Sequence, residues 1–165
     1  MDTDDKGGDD DLWPNGRKAV TYREARTVLD RQHSDLADID DKALQTVRVL
    51  AVIIGATATA AGVLNVSEFN PVLLYGGGAS LALALGVGIL TYSESDLYLG
   101  PGRRYVEQLA ENSTTDLSWD EDLLYSMAYW IEKNNATIEW NGRLLLLTQS
   151  LLYLGLVAVG LSVVI

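Results

Sequence analysis

Three stretches of this chain, 49–64, 71–92 and 144–165, are apolar or small at nearly every position, while 21–46 and parts of 93–143 alternate apolar and charged residues at helical spacing. The second and third runs have about the 20 residues a helix needs to cross a hydrocarbon core. The first is shorter and reaches across by taking in Val47 and Val66 at its ends, with Arg48 expected to snorkel its guanidinium back to the headgroups. A buried core helix would carry a polar stripe with a period near 3.6, whereas AVIIGATATAAGVL is apolar or small all round. The pattern therefore predicts an all-α integral membrane protein with three transmembrane helices, a hairpin over 47–92 (spans 47–66 and 71–92) and a third span over 144–165.

The remaining segments form a helical subdomain in this reading. From Thr21 on, Tyr22, Leu29, Leu36 and Ala43 recur every seven residues with Ala25, Gln32, Ile39 and Thr46 between them, which is one face of a helix over 21–46 leading into the first span. Two heptads, interrupted by Gln32, favour packing against the second polar segment over a free-standing coiled coil. In that segment, 93–143, a Gly100-Pro101-Gly102 turn precedes a helix over 103–112, and Ser118 with Glu121 fits a capping box opening another helix. Leu123, Leu124, Met127, Trp130, Ile131 and Ile138 form its apolar stripe, expected to pack on the N-terminal helix. Unless Asn141-Gly142 breaks it, this helix runs into the third span as a rod of ~48 residues, about 70 Å long. Residues 1–20, rich in aspartate and glycine, are expected to be a disordered acidic tail.

Charge orients the whole. All twelve basic side chains lie within 6–48 and 103–143, so the positive-inside preference makes the N-terminus and 93–143 cytoplasmic and puts the C-terminus outside. Arg48, Trp140 and Arg143 sit where basic and aromatic residues mark a membrane interface. The acidic N-terminus lacks the basic-then-apolar order of a signal peptide, so the first span is expected to act as the insertion signal.

Composition adds a habitat and removes most enzyme classes. Net charge is -11, with 15 Asp against 8 Glu and 8 Arg against 4 Lys, a balance that suits a salt-adapted protein and points to a haloarchaeal source. The absence of cysteine excludes disulfides and thiolate metal sites. His33 is the single histidine, and the Asp38, Asp40, Asp41 cluster has no EF-hand spacing, so no metal, cofactor or catalytic residue is expected. Nucleic acid is not an expected partner. The spans hold no Asp, Glu, Lys or His in their interiors, which argues against a substrate-coupled carrier.

What the spans do hold is small residues: Ala58 and Gly62 in the first, and Gly78, Ala82 and Gly86 four apart on one stripe of the second. Such ladders drive helix association in lipid, here either among the chain's own spans or between copies. A pore would need several copies, with Thr57, Thr59, Thr148, Gln149 and Ser150 as candidate lining. Gly102, Arg103 and Arg104, where a glycine turn opens a helix, form a candidate site for an anion or a lipid phosphate.

The order of cytoplasmic helix, Asp40-Asp41-Lys42-Ala43 before the first span, second span, cytoplasmic helices and a further apolar helix resembles the Pycsar transmembrane effectors and the related SLATT two-span domains. The local match is to the D-x-K-A stretch at the entry to the first span. The third span departs from a plain SLATT pattern, and no fused sensor domain is visible. The resemblance implies a homo-oligomer that permeabilises the membrane when a partner cyclase makes a cyclic nucleotide. The alternative is a non-enzymatic membrane scaffold or accessory subunit whose cytoplasmic helices bind a protein partner. A holin is a third possibility, against which the size of the 93–143 segment counts. Sequons at Asn65, Asn112 and Asn135 add a check, since a glycan at either of the last two would overturn the topology.

Overall fold

The computed structural model describes residues 15–63, 69–93, 96–111 and 118–164. They form four helices: α1 (Gly16–Val63), α2 (Pro71–Ser93), α3 (Arg103–Ala110) and α4 (Trp119–Ser162), with no strand among the described residues. Helices α1, α2 and α4 are each long and apolar enough to cross a membrane. Asn65, Val66 and Asn112 fall outside the described residues, as does the acidic tail up to Pro14.

Helix α1 starts at Gly16, five residues before Thr21, where the heptad pattern placed its start. Its start is set by Asn15, whose Oδ1 accepts from the Arg17 amide at 2.9 Å and whose carbonyl accepts from the Ala19 amide at 3.2 Å, an N-cap that needs no apolar period to recognise. Helix α4 runs unbroken through Asn141-Gly142. A helical glycine costs about 1 kcal/mol, a local cost that a 44-residue helix with Asn141 fully buried beside it tolerates. Asn70 caps α2, its Oδ1 accepting from the amides of Val72 at 3.1 Å and Leu73 at 3.3 Å.

The chain divides into two compact units. The first comprises residues up to Ser34 with Asp96–Thr137, and its core is Leu29, Leu123, Met127 and Trp130, with Tyr22, Ala25 and Ile131 packed against them. The heptad face of α1 thus meets the expected stripe of α4. The second unit comprises Asp35–Ser95 with Ile138–Ile165, and its core is Leu50, Leu81 and Ala84, flanked by Ile53, Ile54, Leu85, Leu151, Leu152 and Val159.

Candidate functional site

In the first unit a cluster of side-chain amides fixes α1 against α4. Gln32, which interrupts the heptad, is 4% exposed. Its Nε2 donates to the Ile131 carbonyl at 3.0 Å and to Asn135 Oδ1 at 2.7 Å, and its Oε1 accepts from Asn134 Nδ2 at 3.2 Å. Asn134 also donates to the Tyr98 carbonyl at 3.0 Å and accepts from the Tyr98 amide at 2.9 Å. One buried asparagine therefore holds the segment before α3 as a strand partner would, and the cluster fixes a single register between the helices. Around it, Tyr98 meets Tyr129 edge-on at 6.3 Å, and the Lys133 ammonium lies 5.5 Å from the Tyr129 ring centre.

At the other end of this unit Lys18 Nζ donates to Asp120 Oδ2 at 2.5 Å and to Glu121 Oε1 at 3.1 Å. The Lys18 ammonium, helped by the Ser118 hydroxyl, holds the Asp120 carboxyl down to about 2 and the Glu121 carboxyl below its ordinary value. In return hydrogen bonding to Asp120 and then Glu121 raises the Lys18 pKa. Tyr105 of α3 packs edge-on against Trp130 at 6.4 Å, and burial pushes its phenol up to about 12, with the Asp122 carboxylate adding to the shift.

The sequence's anion candidate lies in the same unit. The Gly102 carbonyl accepts from the amides of Tyr105 at 3.0 Å and Val106 at 3.2 Å, opening α3. Arg103 Nε donates to Glu107 Oε1 at 2.6 Å, while Arg104 is exposed. His33 is exposed, and no group of three His, Cys, Asp or Glu placed to hold a metal occurs among the described residues.

In the second unit the close helix approaches are made by glycines other than the expected ladder. A Cβ on Gly77 would lie 2.8 Å from Val159 Cγ2 and 3.0 Å from the Gly155 carbonyl oxygen, and one on Gly155 would lie 2.7 Å from Leu81 Cγ. A Cβ on Gly88 would meet Val47 Cγ2 at 2.8 Å and Thr148 Cγ2 at 3.2 Å. Ser80 Oγ donates across this contact to the Leu151 carbonyl at 2.7 Å. Gly62, Gly78 and Gly86 have nothing within 4 Å of where a Cβ would stand, and Ala58 and Ala82 are exposed. The chain's own packing thus uses Gly77, Leu81, Ala84 and Gly88, spaced four, three and four. That spacing is a heptad seam, but the run Gly76-Gly77-Gly78 offers two stripes at once, so the sequence does not say which of them packs.

The candidate pore-lining hydroxyls mostly serve their own helices: Thr57, Thr59, Thr148 and Ser150 donate to the carbonyls four residues back. Gln149 instead lines a cleft of about 250 Å³ with Lys42, Gln45, Thr46, Val49 and Leu152. A second cleft of about 300 Å³ is lined by Ala56, Thr57, Ala60, Phe69, Leu74, Val159 and Val163. Arg48 and Trp140 are exposed, and Arg143 Nη2 donates to Glu139 Oε1 at 2.5 Å. Comparison with protein-family models, with curated proteins and with solved structures gives no match.

Proposed function

We propose that this chain is a three-span membrane protein that acts on the bilayer by assembling with further copies of itself, as a membrane-disrupting effector switched by a nucleotide. The observation that carries the reading is how little of its apolar surface the chain covers. In the most apolar 18-residue windows of α1, α2 and α4, only 11%, 22% and 22% of the residues are buried. Uncovered apolar surface on that scale is a liability in water and is matched in hydrocarbon.

Orientation follows from the basic side chains, with the N-terminus and 93–143 in the cytoplasm and the C-terminus outside. Self-assembly is supported by the stripe Gly78, Ala82, Gly86, which the chain's own packing leaves free to approach a second α2 closely. The trigger comes from the likeness of Asp41-Lys42-Ala43 and the helix order to the Pycsar effectors, which implies a cyclic nucleotide. The acidic composition supports a halophilic archaeal host.

The test is release of a small dye from liposomes holding the purified protein in molar KCl, with and without a panel of cyclic nucleotides. Release set off by one nucleotide is expected, reduced in Gly78→Ile. Silence from folded, inserted protein would overturn the effector reading. A scaffold reading has its own observation, the exposed aromatics Trp119, Tyr125 and Tyr129 of the first unit, which suit a protein partner. It requires a stable complex and no release.

A further inference from the structure

The cleft lined by Lys42, Gln45, Thr46, Val49, Gln149 and Leu152 lies between α1 and α4 and grades from polar to apolar along both helices. Val47 and Thr148 meet at the same point, the position of Gly88, so Gln149 stands at the level of residues just after Gln45. From Lys42 to Val49 the helix advances about 10 Å, and from Arg143 to Gln149 about 9 Å. We infer that this cleft seats one anionic phospholipid, with the phosphate on Lys42, the glycerol oxygens on the amides of Gln45 and Gln149, and the start of a hydrocarbon chain on Val49 and Leu152. The inference rests on the membrane reading above, in which Trp140 and Arg143 mark the headgroup level and the cleft descends from it into hydrocarbon.

Two features point to an acceptor-only ligand with a tail. The Thr46 hydroxyl is committed to the Lys42 carbonyl at 2.8 Å. The Lys42 ammonium and the carboxamides of Gln45 and Gln149, by contrast, take no hydrogen bond or ion pair from any described residue. Carboxamides just below the headgroups are costly when unmatched, and phosphate and glycerol oxygens answer them with acceptors. The apolar floor of Val49 and Leu152 has no use for a free phosphate but continues naturally into a lipid hydrocarbon chain.

Asp38, one turn before Lys42 on the same face of the helix, is exposed, and no acid lines the cleft. Asp41 is exposed, turned about 100° around the helix from Lys42, and lines no part of the cleft, and Glu139 is engaged by Arg143. Arg48, three residues after Gln45 and exposed, adds positive charge on the same side of the bilayer.

The test is native mass spectrometry of the full chain in a non-ionic detergent with phosphatidylglycerol, phosphatidylcholine or glycerol 1-phosphate added. Phosphatidylglycerol is expected to be retained in preference to phosphatidylcholine. In the double variant Lys42→Ala, Gln149→Leu, retention is expected to weaken about tenfold, with no change in Arg103→Ala/Arg104→Ala. Glycerol 1-phosphate alone should not be retained. Lys42→Glu, at an exposed position that leaves folding intact, should lose the lipid even where the double variant loses helicity. Equal retention of the two lipids, indifference to Lys42→Glu, or glycerol 1-phosphate binding as well as the whole lipid would each overturn the inference. Resistance of the chain to extraction from membranes at high pH reports insertion separately. A chain that inserts but shows no lipid preference sinks the cleft and leaves the membrane reading standing.

Discussion

A single buried polar side chain decides the register of the first unit. Gln32 contributes three hydrogen bonds in a buried setting, so Gln32→Leu leaves Asn134 and the Ile131 carbonyl short of partners. It is expected to lower stability by about 1–3 kcal/mol, measured as a downward shift of the thermal midpoint in detergent. Asn134→Ala, which also strands the Tyr98 amide and carbonyl, should cost at least as much. Glycines give a second contrast at the same scale. Gly77→Ala pushes a methyl against Val159 and the α4 backbone and is expected to cost about 1–3 kcal/mol by overpacking. Gly78→Ala enters open space and should leave the thermal midpoint unchanged. Neighbouring glycines in one run thus separate the chain's own packing from any packing between copies.

At the scale of elements, α1 and α4 are joined at their N-terminal ends by Lys18 with Asp120 and Glu121. The carboxyl pKa values are depressed, so their contribution is present above the unfolded carboxylate range, near 4, and is lost as pH falls toward about 2, where Asp120 titrates. Lys18 is raised, so its contribution holds below about 10.4 and is lost only above that, as pH passes its folded value. Protection of the amides at the start of α4, taken relative to the intrinsic exchange rate at each pH, is expected to hold between pH 5 and pH 9 and to fall near pH 3, a step that disappears in Lys18→Met. Much of this level was legible in the sequence. The seven-residue recurrence of Leu29, Leu36 and Ala43 marked a face that is buried, and the stripe Leu123, Met127, Trp130 marked the surface that covers its first part. The start at Gly16 was not legible, because Asn15 caps without a hydrophobic period. The role of Gln32 was hidden too: a heptad records where polarity interrupts a seam, and says nothing of the Asn134 and Asn135 that meet it from a hundred residues away. Whether the helix runs on through Asn141-Gly142 was left open by the sequence, because local propensity is blind to burial.

On the scale of the molecule, three helices long and apolar enough to cross a membrane were legible because a span's length and composition are properties of one segment. The glycine seam of α2 and the Lys42 cleft were not, because each depends on which face of one helix another helix chooses. Self-assembly belongs to this scale. Crosslinking in membranes through Gly78→Cys is expected to give dimers, and Gly77→Cys, whose position is filled by α4, is expected to give none. The most direct measurement of the central claim uses the chain's lack of cysteine. Single variants His33→Cys, Ser67→Cys and Glu111→Cys are exposed in intact cells to a membrane-impermeant thiol reagent. Labelling of Ser67→Cys alone, with the other two reacting only after the membrane is opened, is the expected result for a protein whose α1 and α2 cross the bilayer from a cytoplasmic N-terminus. Labelling of all three from one side, or recovery of the chain in the soluble fraction, would contradict it.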